Sequence, residues 1–363
     1  MRHADRQPAR VIAVALLLGV AFLLALDWWT RPGVRAVGEN FGYVPNPEGV
    51  REFLAELEQP LFRDAGAETI AKAKGIDTFL YRSMYRAHAA RYGKAFTVGR
   101  QGIGDCVSWG WAHGVYCSQS VDWETGRLSE PPLLPATESI YGGSRVEARN
   151  KPEGGGGWSD GSYGGAAAHW LRDWGVVYRE QVGSHDLRVY SADRAKQWGA
   201  YGNGGQGDGG KLDGIAKKHA AKHVALVRTF DEAAAAIEAG FAIPVCSMQG
   251  FASVRDSQGY AAASGSWAHA MCFVAVRYAK NGSPSDALCC LNSWGPSWIS
   301  GGKWPDDQPE GSFWVRRDVA ERMLAGQDSF AVGSIDGFGW RDLHNGNWLA
   351  PIPPETVSMR SPR

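Results

Sequence analysis

The sequence lacks any imbalance of charge: 38 Lys and Arg residues stand against 38 Asp and Glu in 363 residues. With no basic excess there is no electrostatic footprint for nucleic acid, and no acidic tail addresses a cationic partner. The chain also lacks a Cys-x-x-Cys pair, which argues against a zinc ribbon. Its six cysteines (106, 117, 246, 272, 289 and 290) form no compact disulfide framework. No internal repeat is present. Glycine (47) and tryptophan (16) are abundant instead, which points to long, tightly turning loops laid over aromatic packing.

The N-terminus carries one long apolar run. Arg2, Arg6 and Arg10 precede the uncharged stretch Val11–Leu26, and Asp27 and the pair Trp28–Trp29 follow it. At about 1.5 Å per residue the run falls slightly short of a bilayer core of roughly 30 Å. The tryptophan pair suits an interfacial belt. The stretch 11–29 therefore reads as a transmembrane anchor or a signal peptide, behind a basic segment 1–10. Under either reading the rest of the chain is exported, anchored to the membrane or secreted.

Residues 30–95 read as a polar linker followed by helical segments, an N-terminal extension or a removable pro-segment. Helical spacing appears in Val50–Leu57, stopped by Pro60, and in Asp77–Tyr92, with Asp77 as N-cap. A helix is expected from Cys106 to about Ser120 despite Gly110 and Gly114, and another over Ala166–Gly175. Beyond residue 223 short apolar runs separated by turn residues predict antiparallel strands. The whole is an α+β chain in two lobes with a Pro-rich tail at 341–363.

Cys106 sits in "RQGIGDCVSWGW", at the start of a predicted helix. A cysteine nucleophile needs a base, and the base needs an orienting group. His269 lies at the start of one predicted strand ("AHAMCFVAV") and Asn292 at the end of the next ("LCCLNSWG"). If those strands pair antiparallel, His269 and Asn292 become neighbours. Trp294 could then cover the pair from water. Other motifs read more blandly. His219 and His223 have metal-ligand spacing but fit a solvated helix face, and "GNGGQG" fits a surface loop. Cys289–Cys290 fits one inward and one outward strand position.

In this order the motifs resemble a papain-family cysteine peptidase. "QGIGDC", "GSYGGAAAHWLRDWG", "AHAMCFVAV", "NSWGPSW" and "GSFWVRR" each resemble a segment of that family. The resemblance covers 96–340 and implies a peptidase domain there, with a papain-like two-lobe fold and the site in the cleft between a helical and a β lobe. It implies Cys106 as nucleophile, His269 as base and later acid, and Asn292 as orienting group. Gln101 and the Cys106 N–H would form the oxyanion hole, while Gly164 and Gly165 would line the substrate edge. It implies a polypeptide substrate and no cofactor or metal. Cell-wall amide hydrolysis, acyl transfer and a catalytically weak interaction module are the alternatives on the same fold.

Four positions depart from the family pattern. Gln101 stands five residues before Cys106 rather than six. Asp105 replaces a small residue, where its charge opposes a low thiolate pKa although it could cap the helix. Val107 stands where tryptophan is common. Ile103 and Ser162 occupy the places of a family disulfide.

Overall fold

The computed structural model describes residues 41–221, 223–333 and 337–343. The apolar run 11–29, its basic flank and most of the Pro-rich tail lie outside them. No helix among the described residues is long and apolar enough to cross a membrane.

The longer helices are α1 (Pro47–Ala55), α2 (Tyr81–Tyr92), α3 (Cys106–Glu124), α4 (Thr137–Arg145), α5 (Gly164–Asp173), α6 (Ala192–Tyr201), α7 (Phe230–Glu238) and α8 (Arg317–Leu324). Apart from the small paired strands Gln181–Val182 and His185–Asp186, the strands are β1 (Thr78–Phe79), β2 (Val224–Leu226), β3 (Ile243–Arg255), β4 (Ala261–Arg277), β5 (Ala287–Leu291), β6 (Ser300–Gly301), β7 (Ser312–Arg316) and β8 (Phe330–Val332). A mixed sheet runs β6-β3-β4-β5-β7, and β1 adds to β4 through Thr78↔Val276 and Phe79↔Ala275. The helical region before residue 96 is thus woven into the sheet.

Two local expectations are corrected. Asp77 does not cap α2: the helix starts at Tyr81, and the Asp77 carboxylate accepts instead from Tyr278 N at 2.9 Å and Asn281 Nδ2 at 2.8 Å. Cys289 and Cys290 do not divide between inside and outside. Both are fully buried, because β5 is covered on both faces, and such strands read as continuous apolar runs.

Two apolar cores meet along α3. Its first half gives Cys106, Val107, Trp111, Ala112 and Val115 to a core shared with α1, α4 and α5. Its second half gives Tyr116, Cys117 and Val121 to a core built on α2, α7 and the sheet. The helix glycines make this close approach possible. A β-carbon on Gly110 would fall 2.7 Å from Met271 O on β4, and one on Gly114 would fall 2.7 Å from Pro244 Cγ on β3. The lost helix propensity, about 1 kcal/mol per glycine, is offset by that packing.

Candidate active site

Sheet register brings the distant partners together. In the β4–β5 pair Cys272 lies opposite Leu291, so the chain leaving β5 runs back along the start of β4. His269 Nε2 and Asn292 Oδ1 are 2.7 Å apart, and both residues are fully buried. Asn292 Oδ1 also accepts from Ser293 N at 2.7 Å, which fixes the amide for the imidazole. Trp294 lies over the pair, its ring centroid 4.5 Å from that of His269. Water is excluded, so this hydrogen bond is made in a low-dielectric setting.

Cys106 is the first residue of α3, where unpaired helix N–H groups and the helix dipole favour an anion. In the state described, burial nevertheless pushes its thiol up to about 12. The N–H groups of Ala270 and Gly42 oppose that rise, and the charge of Asp105 adds to it. Burial likewise lowers His269 to about 4, with the Asn292 bond opposing. His269 Nδ1 is buried with no hydrogen-bond partner. Both groups are therefore neutral at pH 7.

The cause of this burial lies in the chain itself. Residues Phe41–Val44 run through the groove over Cys106 as an added strand. Tyr43 N donates to Ala268 O at 3.0 Å, Ser162 N donates to Gly42 O at 2.9 Å, and Val44 N donates to Ser162 O at 2.8 Å. Phe41 sits edge-on to His269 and Trp294. Tyr43 is 6% exposed, and its hydroxyl hydrogen-bonds the buried carboxylate of Asp328. Nothing in the composition of 41–44 marks it as a covering strand, so sequence reasoning missed it.

Gln101 is tied to the Asn292 loop. Its N–H donates to Ser293 O at 2.8 Å and its Oε1 accepts from Ser293 Oγ at 2.6 Å, while its Nε2 donates to Ile103 O at 2.9 Å. Gly164 and Gly165 directly follow the stretch that pairs with the covering strand at Ser162. They form the first turn of α5, and their N–H groups are taken by Asp328 at 2.9 and 2.6 Å. The groove edge falls at Gly161–Ser162, where the covering strand pairs. Buried Arg145 holds that edge, donating to the carbonyls of Gly161, Gly199, Gly156 and Gly157.

Asp105 does not cap α3, since its side chain accepts from no N–H of the first turn. It bonds Trp109 Nε1 at 3.2 Å and Tyr190 Oη at 3.0 Å instead. The group best placed among the described residues to hold a cation is Glu56, His169 and Asp173, on the surface. Arg172 already pairs with both of its carboxylates. His219 and His223 do not share a helix face, because the helical turn ends at His219.

The fold has counterparts among solved structures. Xylellain, a cysteine protease from Xylella fastidiosa, aligns over 82% of this chain and 97% of its own with a TM-score of 0.51 and 15% identity. The fold is that of the papain-like cysteine proteases. Procathepsin L 3 from Tenebrio molitor larval midgut (TM-score 0.42, 15% identity, 90% of this chain and 93% of that one) and procathepsin B from Trypanosoma congolense (0.47, 9%, 81% and 90%) also match. No family model matches the sequence, and no curated protein does. On this fold Cys106 opens α3, while His269 and Asn292 lie on and beside the sheet.

Proposed function

We propose that the protein is a cysteine peptidase that hydrolyses peptide bonds through Cys106, His269 and Asn292. One observation carries this reading: the groove over Cys106 holds an extended polypeptide segment, paired on both sides by main-chain hydrogen bonds. A groove that seats Phe41–Val44 as a strand has the shape and hydrogen-bonding pattern to seat a substrate strand.

With that segment displaced, the thiol regains solvent and His269 can take its proton. The helix N-terminus and the imidazolium then both stabilise the thiolate. The thiolate attacks the substrate carbonyl carbon, and the negative charge that develops on oxygen meets the Cys106 N–H and the Gln101 amide. His269 returns its proton to the leaving amine, leaving a thioester. Water, deprotonated by His269, then attacks the thioester and releases the acid and the thiol. Asn292 keeps the imidazole turned toward the sulfur throughout, and Trp294 keeps the pair dry. The substrate edge is Gly161–Ser162, just ahead of Gly164 and Gly165. The N-terminal run Val11–Leu26 would carry the domain out of the cytoplasm, as an anchor or a signal.

The test is digestion of a denatured protein by the full chain and by Gly42→Ala, which cannot seat the covering strand. Cleavage by Gly42→Ala that disappears in Gly42→Ala/Cys106→Ala supports the reading. Equal cleavage by the two variants overturns it.

A further inference from the structure

The loop Gln101–Asp105 has to hold its main chain still if the Cys106 N–H and the Gln101 amide are to meet an oxyanion. Ile103 and Ser162 deny it a disulfide to the groove edge. Hydrogen bonds hold it on both flanks. Gly104 N donates to Asp160 Oδ2 at 3.1 Å, next to the groove edge at Gly161. On the other flank Gly102 N donates to Tyr190 Oη at 3.0 Å, and that hydroxyl donates onward to Asp105 Oδ2 at 3.0 Å. Trp109 Nε1, one turn into α3, donates to the same carboxylate oxygen. One phenol thus joins the start of the loop to its end.

Tyr190 is itself fixed. Ser191 N donates to Glu138 Oε1 at 3.0 Å, and Arg194 and Arg179 pair with the same buried carboxylate at 2.8 and 3.1 Å. The Tyr190 ring packs on Trp109 with centroids 5.1 Å apart. Glu138 is fully buried on α4, so the anchor behind the phenol is part of the core.

We propose that Tyr190, acting through Gly102 and Asp105, is a positioning residue that clamps the oxyanion-binding loop. The inference rests on the peptidase reading above. It accounts for an otherwise costly choice of residue. Asp105 is fully buried beside Cys106, its Oδ1 has no partner, and burial keeps it mostly in the neutral acid form at pH 7. A carboxyl group that caps nothing is retained there because it receives the Tyr190 and Trp109 donors. Burial raises Asp105 to about 8, with Glu138 adding and the Tyr190 and Trp109 bonds opposing. Glu138, Tyr141, Tyr190 and Cys106 are the titratable groups around it.

The experiment uses the full chain with Gly42→Ala as the parent and adds Tyr190→Phe, Asp105→Ala or Asp105→Asn. Tyr190→Phe lowers kcat on the order of tenfold with KM within about twofold, since it loosens a donor without touching the groove. Asp105→Ala does the same, and combining the two adds little because both break one clamp. Asp105→Asn, which keeps an oxygen for both donors, recovers most of the loss. Hydrogen exchange of the 101–105 segment quickens at least about tenfold in Tyr190→Phe and Asp105→Ala. Unchanged kcat and unchanged exchange in Tyr190→Phe overturn the proposal, as does a loss in which kcat, KM and Tm all worsen together. If the parent cleaves no peptide, the peptidase reading fails by itself, and exchange alone decides whether the clamp exists.

Discussion

Gly42 lies so close to Gly104 that a β-carbon built on it would fall 1.8 Å from the Gly104 carbonyl oxygen. That oxygen belongs to the loop before Cys106, so the covering strand and that loop fit each other only because one residue has no side chain. Real β-carbon contacts do not occur at this distance, and main chain on both sides cannot yield cheaply.

Gly42→Ala should therefore expel Phe41–Val44 from the groove while the body of the protein stays folded. Alkylation of Cys106 at pH 7, followed by mass spectrometry, should quicken at least about tenfold over wild type, an opening shift of about 1.4 kcal/mol. Equal rates would show that the strand does not limit access.

Tyr43→Phe tests the other anchor of the same strand. It removes the hydroxyl from Asp328 but keeps the ring, leaving a buried carboxylate with one partner fewer, a cost of about 1–3 kcal/mol. Alkylation of Cys106 should be faster than in wild type and slower than in Gly42→Ala. A Tyr43→Phe rate no greater than wild type would mean that the hydroxyl does not hold the strand.

Asn292→Ala, on the Gly42→Ala background, should lower kcat by roughly 10- to 100-fold, because the imidazole loses the group that fixes its tautomer and orientation. Asn292→Gln cannot rescue it, since the added methylene moves the amide oxygen away from Nε2. Steady-state kinetics on a peptide substrate would settle this, and undiminished kcat would remove Asn292 from the site.

Acid should destabilise the fold through its buried histidines. His113, on α3, is 5% exposed, and burial lowers it to about 4. Its folded pKa lies below its unfolded value, so the unfolded chain binds the extra proton. The contribution is complete above about pH 6.5 and is lost as pH falls toward 4. Between pH 7 and pH 5 this one group should remove about 2 kcal/mol. His113→Leu should lose correspondingly less stability over that interval in urea unfolding. A wild-type loss that His113→Leu does not reduce would contradict the assignment.

The neighbouring of His269 and Asn292 was legible from antiparallel pairing, although His269 lies mid-way along β4, which begins at Ala261, and not at a strand start. Cys106 opens a helix, His269 stands at the first sheet-buried stretch of β4, and Asn292 follows the last residue of β5. Antiparallel pairing then makes His269 and Asn292 neighbours. Gly164–Gly165 reads equally as a bare strand edge or as a tight helix start, and the structure makes it the start of α5. The decision depends on Asp328, 163 residues away, which takes both N–H groups. Asp105 misled for a similar reason: next to a helix it reads as a cap, and only the remote Tyr190 shows where its carboxylate goes. The covering strand was illegible because main-chain pairing carries most of its docking, and main-chain pairing leaves little trace in side-chain pattern.

Helix α3 belongs to both cores at once, its first half in one and its second half in the other. Strands β2, β3, β4 and β8 also give residues to both cores, so the two are stitched together along several elements, with Cys106 at the tip of α3. On the proposed reading, access to the Cys106 sulfur turns on whether Phe41–Val44 is threaded or withdrawn, and the two states share one frame.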